Sequence, residues 1–429
     1  MEQWKLNLYT LWVTQVIALM SFGFGLPFLP FYMQELGVTD PVQLNFYTGL
    51  ASTIPAATMT VAAPIWGMMA DRYGRKLMLM RAMLAAVVII GGMGLVSSVF
   101  QLMVLRALQG IFTGTITASM AFVSANTPEN RMSYALGFMT SSNFIGYSIG
   151  PMLGGLMAEG LGYRICFLAG GALMAVGVVL VGLLVKEDKN TYGPRIVQKP
   201  VLPEREKSHE IESIDDETMM SAGQNIPKMS SSRRASSGKL LTPLIIMLLV
   251  MLFMNRMARI IFSPYIPIFV QENLHGISGA AVYTGLINGV IGIASALAAV
   301  TLARLGDRYE KRRIVTILTI ASLPVAVLLT VPSPLPVFMV LFGLFAFILG
   351  GVEPILTSSA SEHTSPEKRG LLFGFIGAVG NGAFMAAPLI GAAIAVNINV
   401  SAILVCIPVF LLFQLVITYR ESRAERAGD

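Results

Sequence analysis

Long apolar runs separated by short polar breaks dominate the chain. A helix that crosses the hydrocarbon layer needs about 20 predominantly apolar residues. Twelve runs fit that need, at 8–32, 46–66, 77–97, 101–124, 134–157, 165–185, 241–270, 281–303, 314–331, 336–360, 371–395 and 400–419. Between the sixth and seventh runs the pattern stops. Residues 186–239 are rich in Lys, Arg, Glu, Asp, Ser and Pro and carry no sustained apolar period, the composition of a disordered linker. The pattern therefore predicts a six-helix bundle over 1–185, a cytoplasmic linker over 186–239 and a second six-helix bundle over 240–429. The first run is too long for the apolar core of a signal peptide and lacks a small-residue cleavage site, so it reads as helix 1.

The two sets of six are related. Pro27-x-x-Pro30-x-x-x-Gln34-Glu35 at the end of the first run returns as Pro264-x-x-Pro267-x-x-x-Gln271-Glu272 at the end of the seventh, 237 positions on. Tyr47-Thr48-Gly49-Leu50 returns as Tyr283-Thr284-Gly285-Leu286, Asp71-Arg72 as Asp307-Arg308, Pro128-Glu129 as Pro366-Glu367, and Pro151-x-x-Gly154 as Pro388-x-x-Gly391. Matches at nearly one offset mean two parallel halves related by an axis along the membrane normal.

Composition changes the picture only by naming the solvent. Charged residues are 13% of the chain, against about a quarter in a typical soluble domain, so lipid must cover most of the surface. The fold class is an all-α membrane protein. Lys and Arg gather in the N-terminus, the even-numbered loops and the C-terminus, with Arg164 in an odd-numbered loop. By the positive-inside rule both termini and the linker are cytoplasmic. The net charge of +6 is then topology, and no nucleic-acid partner is expected. Cys166 and Cys406 sit in apolar runs and the three histidines lack ligand spacing, so no metal site or disulfide framework is expected. No nucleophile–base constellation appears, which argues against an enzyme. No G-x-x-x-x-G-K-[ST] loop occurs either, which argues against ATP as the energy source.

The loop after the second run reads Gly67-Met-Met-Ala-Asp71-Arg72-Tyr-Gly74-Arg75-Lys76. It resembles the signature loop of the major facilitator superfamily, and with the repeat the likeness covers the whole chain outside the linker. The resemblance implies two pseudo-symmetric six-helix bundles and alternating access. Gly67 permits close packing at the helix end and Gly74 a tight turn, while Arg72 and Arg75 hold the loop at the inner face. Asp71 can latch that face shut against the positive N-terminus of helix 11; alternatively these charges only fix topology. The second copy keeps Asp307 and Arg308 but has Glu310 where the glycine stood.

Arg106, in Leu102-x-x-x-Arg106-x-x-Gln109-Gly110, resembles the arginine motif of proton-coupled members. An arginine within the hydrocarbon faces a cavity or a partner, so Arg106 either tunes a nearby acid or tethers a neighbouring helix. Gly146-x-x-x-Gly150-Pro151-x-x-Gly154-Gly155 resembles the antiporter signature of the drug-efflux branch. Its glycines allow close helix approach and Pro151 allows a kink; packing alone is the other reading. Glu353 is the acid clearly inside a span, in Gly350-Gly351-Val-Glu353-Pro354, where the helix should loosen. Arg256 and Arg259 lie near mid-membrane in the seventh run. Glu353 is therefore either a proton carrier or the partner in a static ion pair. Phe24 and Phe28 share a face of the first helix and would line the cavity if they point inward.

The resemblance implies a secondary transporter in the cytoplasmic membrane that exports small amphipathic or drug-like compounds in exchange for protons. It would use the proton gradient, need no cofactor and work as a monomer. A sugar or other metabolite transporter of the same fold is the alternative.

Overall fold

A computed structural model describes residues 2–128, 131–187, 242–302, 304–365 and 368–426, with the side chains of 133, 307 and 419–426 outside that description. Twelve helical spans and no strand occur among the described residues. Helix 1 is Gln3–Glu35, helix 2 Pro41–Tyr73, helix 3 Arg75–Met93, helix 4 Val99–Asn126, helix 5 Met132–Leu161 and helix 6 Tyr163–Leu184. Helix 7 is Pro243–Leu274, helix 8 Ala280–Thr301, helix 9 Lys311–Leu328, helix 10 Leu335–Glu362, helix 11 Arg369–Asn397 and helix 12 Ile403–Arg426. Eight of these are long and apolar enough to cross a membrane on those grounds alone. Helices 2 and 5 are not among the eight, for a physical reason. They carry Thr, Ser and Asn that lower their mean hydropathy; helices 9 and 12 also fall outside the eight.

The repeat is visible in the breaks. Pro27 and Pro264 have no N–H to close the preceding turn, and helices 1 and 7 tighten there into single 3-10 turns, Leu26–Phe28 and Ser263–Tyr265. The fourth helix of each half breaks too. Helix 4 is interrupted at Thr113 and Gly114, and helix 10 at Gly351, which is 237 positions after Gly114. The expected loosening beside Glu353 is thus an interruption of the helix.

Packing obeys the same two-fold relation. Helix 1 lies on helices 5 and 6 as helix 7 lies on 11 and 12; helix 2 lies on 4 as 8 lies on 10; helix 3 lies on 6 as 9 lies on 12. The halves meet where helix 5 crosses helix 8 and where helix 2 crosses helix 11.

The two ends of the bundle differ. Among the described residues, the hydrogen bonds between halves come from the end away from the linker and from mid-depth. Gln34 and Gln271 exchange amide bonds of 2.8 and 3.0 Å, Asn45 donates to the Ala395 carbonyl, Thr53 to that of Met385, and the Gly279 N–H to Glu159. Toward the linker end helix 2 exposes Val61, Ile65 and Met68, and a side chain at Gly67, Gly137, Gly374 or Gly377 would meet nothing within 4 Å. The molecule is closed at the far end and open at the linker end.

The expected linker boundary moves by two residues. Lys186 exchanges hydrogen bonds with the Asn7 side chain, and Glu187 accepts the backbone N–H groups of Arg75 and Lys76 at 3.0 and 2.8 Å. A carboxylate on the first two N–H groups of a helix is matched by the helix dipole, so these residues dock. Positions 188–239 of the expected linker, with Glu129, Pro366 and Glu367 of the repeat, lie outside the described residues.

Candidate functional site

The broken middles of helices 1 and 7 converge on a cavity of about 300 Å³ between the halves. Pro27 and Pro264 reach it from the two breaks, Ser52 from helix 2, Arg106 from helix 4, Ser263 from helix 7 and Asn288 from helix 8. Arg106 is buried, with 7% of its surface exposed. Its Nε donates to the Ala51 carbonyl at 2.7 Å and its Nη1 to Gln109 Oε1 at 2.6 Å. It ties helix 4 to helix 2, and no acid among the described residues is bonded to it. Phe24 and Phe28 are in the core of the N-terminal half instead of on the cavity.

Glu353 starts the second segment of helix 10. Its Oε1 accepts from Arg256 Nε at 2.9 Å and Nη2 at 2.5 Å, and its Oε2 from Arg259 Nη1 at 3.1 Å. Arg256 also donates to the Ile376 carbonyl of helix 11 at 3.2 Å. Gly380 leaves room for the guanidinium, since any Cβ there would collide with Nη1. The side chains of the triad keep 18% to 28% of their surface exposed, so water reaches the group. The structure brings Glu353, Arg256 and Arg259 together and leaves Arg106 with other partners. Arg81, not singled out from the sequence, lies inside helix 3 with its guanidinium 3.3 Å from the Trp66 ring centroid. Its depth was legible from its position in the third apolar run.

The glycines of helix 5 serve two partners. Gly146, Gly150 and Gly154 face helix 1, where a Cβ on Gly150 would lie 3.0 Å from Met20 Cα and one on Gly154 2.7 Å from Phe24 Cα. Gly155 turns to helix 8, where its Cβ would lie 2.5 Å from the Ala281 carbonyl oxygen. Gly285 of helix 8 closes on the carbonyl of Pro151. Across the molecule Gly49 of helix 2 lies against the carbonyl of Pro388, 2.7 Å from where its Cβ would stand, with the Tyr265 hydroxyl at 2.6 Å. Gly49 and Gly285 are repeat equivalents, as are Pro151 and Pro388. The two repeated motifs are each other's partners, used twice. The sequence gives the equivalence of Gly49 and Gly285 but no sign of what they touch.

At the linker end Gly74 has φ +106° and joins helices 2 and 3 with one residue, the tight turn expected of it. Asp71 is exposed and pairs with Arg75 at 3.7 Å, while Arg75 Nη1 donates to the Ala121 carbonyl. Arg72 packs its guanidinium 5.3 Å from the Tyr73 ring centroid. Gly67 packs against nothing in this conformation, contrary to the close packing expected. In the second copy a short helical turn, Leu305–Arg308, precedes helix 9, and Arg308 is exposed. The Asp307 side chain lies outside the described residues. No group of His, Cys, Asp and Glu able to hold a metal occurs among the described residues.

A helical membrane bundle of two equivalent halves, sealed at one end and open at the other around a central cavity, defines a transporter. The chain belongs to the Major Facilitator Superfamily, whose family model matches residues 11–247 and 248–429. It is 30% identical over 424 residues to the multi-drug resistance efflux pump PmrA homolog of Lactococcus lactis subsp. lactis (strain IL1403), covering 98% of this chain and 96% of that one. It is 28% identical over 420 residues to the multidrug resistance protein MdtG of Yersinia enterocolitica, covering 97% and 93%. The crystal structure of a bacterial homolog to the human lysosomal transporter Spinster, inward-facing and occupied, superposes with a TM-score of 0.71 over 97% of this chain and 96% of that one. At 14% identity that likeness is one of fold. The family and fold are those of a multi-pass membrane transporter of small molecules, not of an enzyme.

Proposed function

We propose that the protein exports small amphipathic, drug-like compounds across the cytoplasmic membrane in exchange for protons, as a monomer with both termini cytoplasmic. The observation that carries this reading is the triad of Glu353, Arg256 and Arg259 beside the break in helix 10, reached by water from the open end. With the termini in the cytoplasm the described conformation is inward-facing. In it the Glu353 carboxyl group is held by two arginines, the arrangement expected after a proton has left to the cytoplasm. Protonation from the far side removes the charge that holds helix 10 to helix 7 and lets the C-terminal half repack as access alternates. Full-length likeness to proteins named for multidrug efflux supports the direction and the substrate range. The glycines of helix 5 supply the seam at which the movement occurs.

In the opposite state Asp71 meets the N-terminus of helix 11, and the space beside Gly67 fills as the linker end closes. Arg72, Arg75, Asp307 and Arg308 belong to the same latch.

Reconstitution in proteoliposomes with an imposed pH gradient tests the coupling. Wild type should move a dansylated probe against its gradient. Glu353→Gln should lose gradient-driven movement yet keep probe-for-probe exchange. Full gradient-driven export by the variant would remove Glu353 from the coupling.

A further inference from the structure

We infer that the central cavity receives the anionic group of the substrate, so the transported class is amphipathic organic anions (a carboxylate, sulfonate or phosphonate on an apolar body) and not lipophilic cations. The inference rests on the exporter reading above and adds the charge of the cargo. Around mid-depth the spans hold Arg106, Arg256 and Arg259 against one carboxylate, Glu353. Glu353 already takes both arginines of helix 7, which leaves it nothing to offer an incoming cation. The cavity itself is lined by no Asp or Glu among the described residues.

Arg106 lines that cavity, and its two bonded nitrogens use a backbone carbonyl and an amide oxygen. Both acceptors are neutral, so the guanidinium charge stays uncompensated. Its Nη2 takes no acceptor among the described residues. Buried to this degree, such a charge attracts an anion and repels a cation more strongly than it would in bulk water. An anion that reaches Nη2 also gains a charge-assisted hydrogen bond. Ser52 beside it and Ser263 from the other half add hydroxyl donors, and Pro27, Ile260 and Phe384 offer apolar surface for the body. The second half has Gly343 at the position equivalent to Arg106, so the charge belongs to one wall and orients the ligand.

The test uses three probes that share one fluorophore: dansylglycine (anionic), dansylamide (neutral) and dansylcadaverine (cationic). Binding is measured by fluorescence on the purified full-length protein in nanodiscs of zwitterionic lipid. Dansylglycine should bind tightest, dansylamide about tenfold more weakly, the worth of one modest charge-assisted contact, and dansylcadaverine not measurably. Arg106→Lys should keep this order and Arg106→Gln should erase the gap between anion and neutral probe. Arg106 also ties helix 4 to helix 2, so Ser52→Asp is the second variant: it keeps Arg106, offsets its charge and should erase the preference for the anion. Equal or tighter cation binding by wild type, no binding of the anion, or an unchanged order in Ser52→Asp each overturns the inference. Gradient-driven movement in proteoliposomes is read separately. Anion binding without such movement supports the cavity assignment and removes the exporter reading; gradient-driven export of the cation does the reverse.

Discussion

Helix 2 carries Gly49 near its far end and Gly67 near its linker end, and the two live in opposite surroundings. A side chain at Gly49 would strike Ala392, Tyr265 and the Pro388 carbonyl within 2.7 Å, whereas one at Gly67 would meet nothing within 4 Å. The far end is sealed mainly by backbone pressed on backbone, with the amide pair between Gln34 and Gln271 and the Gly279 N–H on Glu159. The linker end is laid out in charges: Asp71 with Arg75, Glu187 on the start of helix 3, Lys311 with Glu362. On the proposed transport cycle, alternating access exchanges two unlike ends, one held mainly by close packing and one laid out mainly in charges. The Glu353 triad stands between them.

The largest expected effect lies at the triad. Arg256→Gln removes two of the three hydrogen bonds to Glu353 and leaves a partly buried carboxylate half-matched, at a cost of about 2–4 kcal/mol. Thermal unfolding in detergent should register it, and Arg256→Gln with Glu353→Gln should recover most of the loss. A double variant no more stable than the single would mean that packing, not charge, holds helix 10 to helix 7. Next comes the comparison itself. Gly49→Val should cost about 1–3 kcal/mol by overpacking, while Gly67→Val should stay within about 0.5 kcal/mol. Gly67→Val should nevertheless slow transport, because the linker end must close on it. Equal destabilisation by the two would erase the distinction between the ends.

What the sequence made legible follows the same division. The spans, the repeat and the loosening at Gly351 are local properties of composition and backbone chemistry, and they were readable; Pro27 and Pro264 were read only as repeat markers. That Glu353 would find Arg256 and Arg259 was readable as one of two options, because few charges share that depth. Gly49 and Gly285 were visible only as repeat markers, since a glycine carries no trace of the carbonyl that will lie over it. Phe24 and Phe28 could be placed on one face of helix 1 but not assigned to cavity or core, because a helical wheel gives a face and not what covers it. Glu187 failed because a polar segment was read as linker from its first residue, while one carboxylate at the right distance from a helix start is enough to dock it.

Smaller effects probe the two seals separately. Glu187→Gln weakens the contact with two helix N–H groups and should cost about 1 kcal/mol, seen as a lower unfolding midpoint. The amide pair at the far end is the subtlest element. Each glutamine donates to the other, an arrangement that only a two-fold relation between identical side chains supplies. Interhelical side-chain bonds in membrane proteins are worth about 0.6 kcal/mol, so Gln34→Ala or Gln271→Ala should shift the balance toward the far-open state by about threefold. Fluorophores on cysteines at the exposed loop positions Thr39 and Ser278 would report the distance between halves. Because the bonds are reciprocal, the double variant should shift the balance no further than either single one. Additive shifts would mean that the two glutamines act independently and that the amide pair is no part of the seal.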